Sequence, residues 1–237
     1  PIPDVDRTGF LLVLGANPLA SNGSLMTAPD LRGRLAAIRR RGGRVVVVDP
    51  RRTETAAAAD AHLAIRPGTD AALLLALLRT IFDEDLDRPG RLAAHVDHLD
   101  RLRALVMPWT AERAAAATGL DADAIRDLAR EFARAEHAVC YGRLGVSTQA
   151  FGSLACWLVN ALNLVTGRLD AEGGAMFTRP AVDLVGGGFV GRGSLGRHRT
   201  RVRGLPGFGG ELPSAALAEE IDTPGAGQVR ALLTIAG

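Results

Sequence analysis

Two short apolar runs, each closed by a turn residue and separated by a stretch of helical period, constrain this chain more than any other feature. Phe10-Leu11-Leu12-Val13-Leu14 ends at Gly15, and Val45-Val46-Val47-Val48 ends at Asp49-Pro50. Neither run alternates polar with apolar residues, so each reads as a strand buried on both faces. Between them lies a polar loop from Ala16 to about Pro29, then Leu31, Leu35 and Ile38 at helical spacing. Arg39, Arg40 and Arg41 sit where cations suit a helix C-terminus, and Gly42-Gly43 stops the helix. Strand, helix and strand at this separation form a βαβ unit and predict parallel pairing.

The same grammar continues. His62 to Ile65 reads as a shorter strand, and Pro67-Gly68-Thr69-Asp70 opens a helix over 71–82 that is apolar nearly all round and therefore buried. Residues 83–109 are charged and mixed, with short helices expected. Thr110 caps a helix that Gly119 closes, and Asp121 caps another with Ile125, Leu128, Ala129 and Phe132 on one stripe. Ala138 to Tyr141 is a strand ending at Gly142; a loop, Arg143 to Gln149, leads to an apolar helix over 151–165. This alternation predicts an α/β fold: a doubly wound, mostly parallel sheet, Rossmann-like and three-layered. From 168 onward glycines cluster at 173–174, 186–188 and 209–210 and periodicity fades, giving an irregular Gly-rich C-terminal segment. The expected division is an α/β domain over 1–178 and a Gly/Arg-rich connecting segment over 179–237, with a short helix at 214–221 and a final strand from about Val229.

Composition narrows the classes. The 237 residues are 47% hydrophobic and 23% charged, ordinary for a globular chain and unlike collagen, coiled coils or disordered sequences. Two cysteines exclude a disulfide scaffold and a Cys-rich zinc or iron–sulfur site within the chain. The longest apolar run, Ala71 to Leu78, is far short of the roughly 20 residues of a membrane helix, so no membrane span is expected. Every fixed cation is an arginine, and the net charge of +2 gives no case for nucleic acid. The chain opens on Pro1-Ile2-Pro3-Asp4 without an initiator Met and closes on an apolar run, so it reads as a piece of a longer protein. Its compartment stays unknown, with cytoplasm favoured.

In a parallel sheet, ligands bind beyond the carboxyl ends of the strands, which selects four loops. Gly15 lets backbone approach a phosphate, and Asn17 offers an amide beside Pro18. Asp49 ends the second strand, where a carboxylate accepts from ribose hydroxyls, and Arg51 and Arg52 can neutralise phosphate. Asp70 can accept two N–H groups from a guanine edge, and it is equally a residue that helix N-termini favour. Asp49-Pro50 is equally a strand terminator. A plain NAD site is disfavoured: GANP is not G-x-G-x-x-G, and Gly15 and Asp49 stand further apart than the usual roughly 20 residues.

Taken in order, GANP at 15–18, VVVVDPRRTETAAAAD at 45–60, LAIRPGTDAALLLALL at 63–78, YGRLGVSTQAFGS at 141–153 and LNLVTGRLDAEGG at 162–174 resemble the molybdopterin oxidoreductase family of formate dehydrogenases, nitrate reductases and dimethyl sulfoxide reductases. The resemblance covers most of 8–177. It implies a domain that holds a molybdopterin guanine dinucleotide carrying molybdenum or tungsten, for two-electron or oxygen-atom transfer. By resemblance Gly15, Asn17 and Pro18 meet the diphosphate; Asp49, Arg51 and Thr53 lie against the ribose and phosphate; Pro67, Gly68 and Asp70 flank the guanine; and Gly142 and Gly145 approach the pterin. The metal-ligating residue and the cysteines of an iron–sulfur cluster are expected upstream of this chain, which itself supplies no catalytic residue and no metal ligand. Expected partners are the remaining domains of the parent chain, a small-molecule substrate and an electron-transfer subunit.

Other features have structural readings. Cys140 and Cys156 are assigned to the core. His62, His95, His98, His137 and His198 form no ligand set, and His95 to His98 reads as a solvated helix face. Met26, Met107, Trp109 and Trp157 read as packing residues. The arginine-rich run over 191–204 is either an anion-binding loop or a solvated edge, the latter preferred. Two rival readings stay open: a cofactor-free scaffold domain like that of a large subunit of respiratory complex I, and an unrelated nucleotide-binding α/β module.

Overall fold

The computed structural model describes residues 1–23, 26, 28–183 and 194–235. Gly186, Gly187 and Gly188, the first residues of the arginine-rich run (Gly191, Arg192) and the last two residues lie outside the described residues. The chain divides into two units, Pro1–Thr178 and Arg179–Gly237.

The first unit is built on a four-stranded sheet. After a two-residue β1 (Ile2–Pro3) come β2 (Phe10–Leu14), α1 (Leu31–Arg40), β3 (Arg44–Val48), α2 (Glu54–Ala58), β4 (Ala61–Leu63) and α3 (Asp70–Asp83). A 3-10 turn, Gly90–His95, leads to α4 (Leu99–Val106), α5 (Ala111–Thr118), α6 (Ala122–Arg134) and β5 (Ala138–Gly142). Then follow α7 (Leu144–Ser147), α8 (Gly152–Val165) and β6 (Ala175–Met176), the last pairing antiparallel with β1. The main sheet has the order β4-β3-β2-β5, all parallel. The chain thus steps outward from β2 to β4, then returns to the other side of β2. The reversal between β2 and β5 is the switch point at which open α/β sheets seat ligands.

The buried pattern of the strands has a direct cause. Phe10, Leu12 and Leu14 point into one core with Val46, Val48, Ala138 and residues of α3, α5, α6 and α8. Leu11 and Val13 point into a second core with Val45, Val47, Val139 and Leu31, Leu35 and Ile38 of α1. Both faces of the sheet are covered, which is why the strands carry no polar alternation. Caps stand where expected: Thr110 accepts from the Arg113 amide and Asp121 from the Ala124 amide. Cys140 is buried and Cys156 packs against the same core.

Several expectations change. Residues 143–149 are not an open loop, because Leu144–Ser147 closes a helical turn. His95 to His98 is not a helix face: His95 ends the 3-10 turn, while His98 takes a left-handed conformation as the residue before α4. Trp157 and Met107 do not pack inside. They border the outer faces of α8 and α4, 53% and 38% exposed, because no described element covers that side. Trp157, Leu105 and Leu154 line an apolar groove of about 590 Å³ there.

In the second unit two isolated bridges, Arg199 to Pro206 and Phe208 to Glu211, precede a 3-10 turn at Ser214–Ala216 and α9 (Leu217–Asp222). Three arginines of the run are engaged within the unit. Arg201 donates to the Thr223 carbonyl at 2.8 Å and lies 3.2 Å from Glu220, Arg203 donates to Glu219 at 2.7 Å, and Arg199 donates to the Gly204 carbonyl at 2.9 Å. These pairings fit the solvated-edge reading of the run. The strand expected from Val229 does not form: residues 228–235 join no ladder, and Leu233 and Ile235 are 84% and 83% exposed. An apolar run without a neighbouring edge gains no hydrogen bonds from extending.

Candidate functional site

The strand ends fix the site. Leu14 lies opposite Val48 and Gly142, and Val48 opposite Leu63, so all four strands finish in one register at one rim. The four loops selected from the sequence therefore emerge side by side. They are also tied to one another.

The loop after β2 is held to the start of α2 by Asn17. Its Oδ1 accepts from the Thr55 hydroxyl at 2.7 Å and its Nδ2 donates to Glu54 at 2.6 Å, while the Leu19 amide donates back to the Thr55 hydroxyl at 3.1 Å. The Asn17 donor holds the Glu54 carboxyl below its ordinary value. Thr53 is buried and caps α2 by accepting from the Ala56 amide at 3.1 Å. Asp49 folds back on its own loop, accepting from the Arg51 amide at 2.8 Å, and its carbonyl meets His62 Nε2 at 2.8 Å. The side chains of Arg51 and Arg52 are exposed, and the Arg51 charge adds to the lowering of the Glu54 carboxyl.

On the other side of the rim, Gly15 and Gly145 touch. The Gly145 amide donates to the Gly15 carbonyl at 3.0 Å, and a Cβ added to Gly145 would stand 2.8 Å from the Gly15 Cα. Gly15 also has φ +54°, a left-handed conformation that favours glycine. Both glycines are thus demanded by the crossing of two loops. Gly142 faces Val146 and Val159 instead.

Asp70 opens α3 and is 5% exposed. Gln149, reaching from the loop after α7, donates from Nε2 to Asp70 Oδ2 at 2.7 Å and to the Gly145 carbonyl at 3.0 Å. Burial pushes the Asp70 carboxyl above its ordinary value; the Gln149 donor pulls the other way, and the charge of Asp49 adds to the rise. Gly68 is exposed with φ +81°, and Thr69 bonds the Arg66 carbonyl at 2.7 Å, which fixes the turn that presents Asp70. Pro67 is exposed beside it, and Arg66 anchors the turn by donating to the Ala116 carbonyl at 2.7 Å.

The structure therefore gathers every sequence-selected residue at one rim, in two groups. Gly15, Asn17, Thr53 and the buried Asp70 serve contacts within the rim, whereas Arg51 and Gly68 are exposed. Gln149 lies in a loop the sequence marks, but nothing in the sequence singles it out as a site residue. Its signal would have been a polar side chain just before the apolar helix, in a loop leaving the switch-point strand. No group of three or more His, Cys, Asp or Glu able to hold a metal exists among the described residues.

An open parallel sheet with tied loops at its carboxyl rim and a buried carboxylate at a helix start defines an α/β domain of the class whose ligands, where they bind, sit at that rim. The chain matches the molybdopterin oxidoreductase family over residues 1–232, and it belongs to that family. It is 31% identical over 168 residues to formate dehydrogenase H of Escherichia coli (strain K12), covering 71% of this chain and 23% of that one. It is 30% identical over 177 residues to a nitrate reductase of Klebsiella oxytoca, with 74% and 19% covered, and 31% identical over 179 residues to the dimethyl sulfoxide/trimethylamine N-oxide reductase of Cereibacter sphaeroides, with 72% and 22% covered. Among solved structures, acetylene hydratase from Pelobacter acetylenicus matches with a TM-score of 0.61 and 27% identity over 70% of this chain and 22% of that one. The chain thus spans about a quarter of the length of the curated relatives it matches.

Proposed function

We propose that residues 1–178 form a domain that holds a molybdopterin guanine dinucleotide for a molybdenum or tungsten oxidoreductase. The observation that carries this reading is Asp70: a buried carboxylate at the rim of a family-matched sheet, beside a glycine turn and an amide oxygen with no donor among the described residues. Such an edge suits a base that presents N–H groups. When bound, the metal-bearing pterin supplies two-electron or oxygen-atom transfer. This chain's residues bind and orient. Asp70 and Gln149 face the base, Arg51 lies within reach of phosphate charge, and Asp49 and Thr53 shape the turn on the ribose side. Asn17 keeps that turn in place. Pro18 continues the loop on the diphosphate side, Pro67 and Gly68 flank the base, and Gly142 and Gly145 form the rim toward the pterin.

The rest of the parent chain is assigned the metal-ligating residue, an iron–sulfur cluster and the docking of an electron-transfer subunit, while this chain contributes part of the substrate funnel. A scaffold domain without cofactor is the second reading, favoured by one observation: the contacts of Asn17, Gly15 and Gly145 are satisfied within the rim itself. The two separate in one experiment. Protein purified from cells that make the cofactor should release GMP on acid hydrolysis, in equal amount to oxidised pterin, together with molybdenum or tungsten. Asp70→Ala should lower the GMP and metal content. Wild-type protein that releases neither pterin nor GMP would establish the scaffold reading instead.

A further inference from the structure

Helix α8 is apolar on two sides. From Gly152 to Val165 it carries no charged residue, and Ala155, Leu158, Leu162 and Val165 enter the core. A second stripe, Leu154, Trp157, Ala161 and Leu164, repeats at intervals of three, four and three residues along the outer side. A helix apolar all round belongs in an interior, yet Trp157 is 53% and Leu154 41% exposed. All four residues of the stripe line the groove of about 590 Å³ that faces Leu105 of α4. Both α4 and α8 pack on α3, whose Leu75 also lines the groove. The opening therefore lies where a further helix would rest, and the intervals of the stripe are those by which one helix accepts another at a small angle.

We propose that this groove is a homodimer interface, in which α8 of a second copy lies antiparallel between α8 and α4 while the first α8 fills the equivalent groove of that copy. Three observations select a second copy. Self-pairing sets charges near a two-fold axis against their own kind, and α8 has none to oppose it. Sizes match: antiparallel pairing about position 159 brings Leu154 to Leu164 and Trp157 to Ala161, so the largest side chain of the stripe meets the smallest. The charged residues that line the groove, Asp97 and Arg101, are one of each sign, which favours neither an acidic nor a basic partner. The inference is independent of what the rim binds.

Sedimentation velocity of the 237-residue chain over a concentration series tests this. Wild type should pass from monomer to dimer as its concentration rises to about 100 μM. Both tryptophans of the chain, Trp109 and Trp157, line the groove, so their emission should shift to the blue over the same range. Trp157→Glu and, separately, Leu154→Glu should each weaken dimerisation roughly thirtyfold with an unchanged circular dichroism spectrum. Leu233→Glu, at a side chain 84% exposed in the second unit, should leave the association as it is. A wild type that stays monomeric throughout overturns the inference, and uptake of a small apolar dye by that monomer would assign the groove to a small ligand instead. A dimer with unshifted tryptophan emission overturns it without any variant. So does a dimer that persists in both α8 variants, or one that Leu233→Glu dissolves.

Discussion

Asp70 is held in a place that disfavours its charge. Its folded-state pKa lies above the ordinary value of 3.8, so the folded chain binds this proton more tightly than the unfolded one. The associated stability is fully present below 3.8 and lost as pH rises through the raised value. Asp70→Asn should therefore melt above wild type at pH 7, with the gap closing toward pH 3; an equal gap at both values would remove the carboxyl as its cause. Arg51 is the complementary case, an exposed cation whose charge helps hold the Glu54 carboxyl low. Nucleotide affinity of the wild type should fall with ionic strength, and Arg51→Ala should flatten that slope. An unaltered slope would exclude phosphate contact. Asp70 was legible in the sequence because Pro67-Gly68-Thr69 announces a helix start at a strand's carboxyl end. Gln149 was not, since it meets Asp70 across 79 positions of chain, and only the crossing of the loops after β4 and β5 brings the two together.

At the scale of elements, β5 is an edge strand of the main sheet, and at Cys140 its outer backbone groups are met by one side chain. Asn163 of α8 accepts from the Cys140 amide at 2.9 Å and donates to the Cys140 carbonyl at 2.8 Å, and it is 1% exposed. Asn163→Leu would leave both backbone groups buried and unmet, a loss of about 3 kcal/mol, read as a lower urea midpoint. A shift below about 0.5 kcal/mol would show that water reaches this edge. Asn17 plays the same part between elements, joining the loop after β2 to α2. Asn17→Ala should cost about 1–3 kcal/mol and speed hydrogen exchange at the Leu19 and Thr55 amides. The strands β2, β3 and β5 were readable because each is an apolar run closed by a turn residue. By contrast β1 and β6 are two residues each, too short to carry a period, and α7 is a single turn set by the Arg143 carbonyl receiving the Val146 and Ser147 amides. The final strand failed for the opposite reason: its pattern was right, and the neighbour that a strand requires was not a property of its own residues.

For the whole molecule, the two cores and the four-stranded sheet all lie within Pro1–Thr178. A protein of residues 1–178 should accordingly unfold in one transition with a melting temperature within about 3 °C of the corresponding transition in the full chain. A fall of ten degrees or more would mean that the second unit stabilises the first. The fold class was legible because covered sheets demand unbroken apolar strands. The rim's closure was not, since it depends on which loops cross. At that crossing stand Gly15 and Gly145, each filling the room that a methyl group on the other would need. Neither position can acquire a side chain first without displacing its opposite, so the two are locked as a pair. Any lineage that remodels this corner must change both turns together or leave both alone.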